Sequence, residues 1–160
     1  MKYIFPLFLL LSSCASVQMT YLGDDKGLAA ANKAADQWKD VCGKEIYISR
    51  DFGGIPIRQV PSLKKVEPKA TDNMAAATKV VDGKVAIVLF EPYGTDQFLT
   101  VLFAHEFGHV LGIRNKNHEP SGLMQETPVL TDKVTHNECM LLPDYQPIDH
   151  NSNERMNRGF

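Results

Sequence analysis

His105 and His109 stand four residues apart, and Glu106 directly follows the first of them. On an α-helix that spacing puts both imidazoles on one face, one turn apart. Two imidazoles so placed can bind one Zn2+ through nitrogen. Glu106 projects from the same turn in its own direction, where a carboxylate can take a proton from a metal-bound water. The metal makes that transfer feasible by lowering the pKa of bound water from about 15.7 to about 7. The product is a nucleophilic hydroxide facing a carbonyl that the metal also polarises. Phe103, Phe107, Val110 and Leu111 flank the pair. Two histidines sharing one face of so apolar a helix are hard to account for as core.

The helix that carries them is expected from about Gln97 to Leu111, capped by Thr95 or Asp96 and broken by Gly112. Before it, Thr78–Val81 and Lys84–Phe90 flank Asp82-Gly83. An Asp-Gly pair between β-branched runs predicts a hairpin with a two-residue turn. Gly27 to Cys42 places Leu28, Ala31, Ala35, Trp38 and Val41 at three- and four-residue spacing. That is an amphipathic helix, with Asp24 or Asp25 as cap and Gly43 as stop. Ile46–Ser49 reads as a short strand and Ile55–Val60 as another, limited in its pairing by Pro56. Pro61–Asn73 reads as loop, and a last helix is expected from a Thr131 cap through Leu142. No internal repeat stands out.

His105-Glu106-Phe107-Gly108-His109-Val110-Leu111-Gly112 resembles the start of the zinc-binding segment of the metzincin peptidases, in particular their matrixin-like branch. In that family the glycine turns the chain sharply so that a third ligand reaches the metal. A methionine turn then forms a floor beneath the site. Ser121-Gly122-Leu123-Met124 resembles that turn, which implies Met124 as its methionine. The resemblance also implies that Lys84–Phe90 is the edge strand, which would accept an extended substrate by strand addition. The family's third histidine stands three residues after the glycine, a position held here by Asn115, whose amide is a poor zinc ligand beside imidazole. The next histidine, His118, is the expected third ligand through a longer loop. Glu119 is a fallback, and His136 and His150 are weaker ones. Cys42, at a helix end among core positions, is not expected to bind zinc. Gln125-Glu126-Thr127-Pro128 departs from the tyrosine and proline that follow the methionine in matrixins, so the pocket wall beyond it is unreadable. No acidic cluster with calcium-loop spacing is present, and with the first helix expected soon after Cys14 no cysteine-switch propeptide is expected.

The chain opens with Lys2, a short apolar run from Ile4 to Leu11, and Ser12-Ser13-Cys14. A charge, an apolar run and small residues are the parts of a secretory signal, and the run is too short to span a bilayer. Leu11-Ser12-Ser13-Cys14 resembles the bacterial lipobox. That resemblance implies cleavage before Cys14 and lipid on Cys14, with several acyl chains giving a stable anchor. Ala15 is not an acidic inner-membrane retention residue, so the outer membrane, facing periplasm or cell surface, is the expected address. Outside the cytoplasm Cys42 and Cys139 could pair; two buried thiols are the alternative.

With 17 basic and 19 acidic residues in 160 the net charge is −2. No basic face for nucleic acid is implied, and the length is that of one domain. The expected organisation is a signal peptide over 1–13, a lipid-anchored tether over 14–26, a zincin-like domain over 27–142 and a polar tail over 143–160. The expected fold is α+β, a small twisted mixed sheet with an N-terminal helix, an active-site helix and a C-terminal helix. The expected function is a lipid-anchored zinc endopeptidase acting on a peptide or protein substrate, with Glu106 as general base. The alternative is a non-catalytic lipoprotein that keeps the scaffold and binds a partner.

Overall fold

The computed structural model describes residues 16–51, 53–71, 74–114, 121–125 and 128–145. Cys14, Asn115, His118, Glu119 and His150 lie outside the described residues.

Among the described residues five strands form one mixed sheet. They are β1 (Val17–Leu22), β2 (Ile46–Ser49), β3 (Ile55–Gln59), β4 (Ala76–Val81) and β5 (Lys84–Phe90), in the order β2-β1-β3-β5-β4. All neighbours run parallel except β4, which is antiparallel to β5. Helices α1 (Asp25–Cys42), α2 (Leu63–Val66), α3 (Asp96–Val110) and α4 (His136–Met140) complete an α+β fold.

The pleat decides what each strand offers. Along β5, Val88 and Phe90 enter the main core, whereas Leu89 and Ile87 join a second cluster with Val60, Leu63 and Ala70. The main core lies between the sheet and helices α1 and α3. Helix α1 presents Ala30, Ala31, Ala34, Ala35 and Trp38 to it, all buried. These small side chains let α1 approach α3 closely, and the Trp38 indole donates to the Ala104 carbonyl of α3 at 2.9 Å. Asp24 caps α1 by accepting from the Gly27 N–H, and Gly43, at φ 67°, ends it.

Several expectations are corrected. Residues 14–26 are not all tether: Val17–Leu22 is a strand between β2 and β3, with Met19, Thr20 and Tyr21 buried. Its polar Thr20 is accommodated because its hydroxyl donates to Asp51 O and accepts from Gly53 N–H. Leu63–Val66 is a helical turn, not loop; Leu63 is fully buried beneath it. The edge strand is β4, not Lys84–Phe90, because β5 is paired on both sides. The last helix is capped by Thr135 rather than Thr131 and spans five residues. The tail expected from residue 143 does not begin there, since Tyr145 packs against the main core.

Cys42, at the end of α1, and Cys139, in α4, form a disulfide with Cα atoms 5.4 Å apart, within the span such bridges need.

Candidate active site

Thr95 caps helix α3, its hydroxyl accepting from the Phe98 N–H, and Asp96 in the first turn favours the positive end of the dipole. From Leu99 to Gly108 only Leu102 escapes full burial. The helix is therefore gripped on nearly every side, and the groups it carries have little freedom to move.

Gly112, at φ 105°, reverses the chain beyond α3. A side chain there would be strained. The reversal brings the Ile113 carbonyl back to His109, 2.8 Å from Nδ1. The turn at Ser121–Met124 does the same for His105, whose Nδ1 lies 2.8 Å from the Leu123 carbonyl. A carbonyl only accepts, so each Nδ1 carries a proton, and in a neutral ring Nε2 then keeps its lone pair. Burial pushes the His105 pKa down to about 4, despite the opposing pull of the Leu123 carbonyl, so its ring is neutral near pH 7.

The two Nε2 atoms are 3.2 Å apart. Two nitrogens bound to one tetrahedral zinc at about 2.0–2.1 Å stand about 3.3 Å apart. Two lone pairs meeting at this distance repel unless a cation or proton lies between them. The donor set thus fits a zinc ion, and the carbonyls behind the rings are the partners that fix a metal-binding tautomer.

Glu106 is buried and its Oε2 accepts from the Thr78 hydroxyl of β4 at 2.5 Å. Met124, completely buried, packs beneath α3 where Gly108 leaves room. A Cβ on Gly108 would stand 2.4 Å from Met124 Sδ and 3.2 Å from Trp38 Cζ2. Gly108→Val is expected to destabilise the protein by about 1–3 kcal/mol through overpacking, more than the few tenths that leaving glycine returns in helix propensity. Urea unfolding midpoints measure this, and a variant as stable as the parent would show that Met124 yields freely.

Two contributors escaped the reading of spacing. Thr78 had a findable signal, since two-residue alternation from buried Ala76 puts it on the α3 face of β4. Glu138, 3% exposed, accepts from Leu123 N–H at 3.1 Å and from Thr135 N–H at 2.9 Å. It thus holds the same residue whose carbonyl holds His105. Thr135-His136-Asn137-Glu138 is a capping box that the sequence displays.

His136 lies exposed at the start of α4, and both Cys42 and Cys139 are in the disulfide. Among the described residues no three His, Cys, Asp or Glu side chains converge. Beside the helix turn that precedes His105, Phe98, Val101 and Leu102 face Pro128, Val129 and Leu130 across an apolar cavity of about 490 Å3. The Gln97 amide closes one side by donating to the Leu130 carbonyl at 2.7 Å. No helix among the described residues is long and apolar enough to cross a membrane. The chain matches no protein-family model and shows no significant similarity to curated proteins.

Proposed function

We propose that the protein is a zinc-dependent endopeptidase with a zincin-like domain of metzincin type, matrixin-like in its site. The observation that carries this is the approach of His105 Nε2 and His109 Nε2 to 3.2 Å, each ring held at Nδ1 by a backbone carbonyl, on the helix whose Glu106 carboxylate is buried. A structural zinc site has no use for such a base.

His105 and His109 hold the metal, with His118 as the third ligand. When bound, zinc supplies Lewis acidity to the attacking water and to the scissile carbonyl. Glu106 accepts the proton from the water and returns it to the departing amine nitrogen. The open edge of β4 receives the substrate as an added strand, and the apolar cavity beside α3 takes one of its side chains. Met124 and Trp38 keep the helix from yielding beneath the site. Lipid on Cys14 would hold the enzyme in the bacterial cell envelope, probing substrates at the outer membrane.

Purified protein loaded with one equivalent of zinc should cleave an unstructured polypeptide, lose activity to a chelator and recover it on zinc addition. Stoichiometric peptide binding without turnover, at full zinc content, would sink the peptidase reading in favour of a binding role.

A further inference from the structure

Thr78 combines two relations that no other residue of β4 combines. Its side chain lies on the α3 side of the sheet with buried Ala76, while Ala77 packs on the opposite side. Its Oγ1 is 2.5 Å from Glu106 Oε2 and 3.4 Å from the Glu106 carbonyl. A hydroxyl has one proton, and the nearer oxygen, that of the carboxyl group, takes it.

The main chain of Thr78 faces elsewhere. Phe90 O accepts from Val60 N–H at 2.9 Å, so the Phe90 backbone turns toward β3. Glu91 N–H donates to Ala75 O at 2.9 Å, which makes that pair a hydrogen-bonded one. Bonded and non-bonded pairs alternate along an antiparallel ladder. Ala76↔Phe90 and Thr78↔Val88 are therefore non-bonded pairs. The N–H and C=O of Ala76 and Thr78 point away from β5, toward the edge of the sheet.

We propose that Thr78 is a positioning residue for the general base, coupling it to the docked substrate. Its hydroxyl pins Oε2 of Glu106 and so fixes the direction of the other oxygen. Its peptide groups bond the incoming strand, so docking and base alignment share one residue. This rests on the peptidase reading of the same site.

The test compares Thr78→Val and Thr78→Ser with the parent, each as zinc-loaded full chain, by zinc content, unfolding midpoint, kcat and KM on one peptide. Thr78→Val keeps the shape, the β propensity and the strand's peptide groups but not the hydroxyl. It should keep one zinc per chain and KM within about twofold, yet lose about 10–100-fold in kcat, the range for a hydrogen bond to a charged group. Thr78→Ser should recover most of that loss. Unchanged kcat in Thr78→Val, equal losses in both variants, or a loss carried by KM or zinc content would overturn the proposal while leaving the peptidase reading in place. A parent that holds zinc but cleaves nothing overturns both.

Discussion

Glu106→Gln lowers kcat/KM on an extended peptide by about 10²–10⁴-fold, the range for loss of a general base, with zinc content and unfolding midpoint at parental values. The amide matches the carboxylate in shape, and its oxygen still accepts from Thr78, so the bond to β4 survives. What it cannot do is take a proton. The side chain is only 5% exposed, and a neutral amide there introduces no buried charge. Glu106→Ala is the harsher variant. It removes the acceptor of the Thr78 hydroxyl and opens space in the site, so it should lose stability as well as turnover. Side-by-side kinetics, metal analysis and thermal unfolding separate the two effects. Parental turnover in Glu106→Gln would remove Glu106 from the mechanism.

Removing the Cys42–Cys139 bridge, as the double serine variant, should cost about 2–5 kcal/mol of stability. The bridge joins residues 97 positions apart, and chain-entropy reasoning puts a loop of that order near the top of the range. The loss should also be felt at the proposed metal site. Helix α4 has five residues, too few to stand alone, and it carries Glu138, which holds the Leu123 peptide behind His105. Zinc affinity, read by competition with a chromophoric chelator, should fall together with the urea midpoint. A variant with lower stability but parental affinity would show that the turn at Leu123 stands without α4.

What the sequence disclosed follows from the range of the forces involved. His105, Glu106 and His109 were legible because helix geometry alone sets their relation. Asp82-Gly83 was legible because only such residues accept the positive φ angles, 51° and 75°, that the turn adopts. Strand β1 was missed because Gln18 and Thr20 made Val17–Leu22 look polar, although Val17, Met19 and Tyr21 alternate. The partners of Thr20 are more than 30 residues away, and no local pattern announces them. Which hairpin strand forms the edge is equally non-local, since the turn signal is symmetric and only β3 decides that β5 lies inside. Thr131 and Thr135 are both plausible caps; the Glu138 carboxylate returning to Thr135 selects the second.

The early start of β1 bears on how the proposed lipid-anchored peptidase would meet its substrates. With the sheet beginning at Val17, the lipid proposed on Cys14 would leave Ala15 and Ser16 as the whole spacer. Three residue steps of extended chain reach about 10 Å, no more than the diameter of one helix. The domain would then ride against the lipid headgroups instead of sweeping a volume above them. Its encounters would be nearly two-dimensional, favouring substrates that are themselves held at, or emerging from, the same membrane surface.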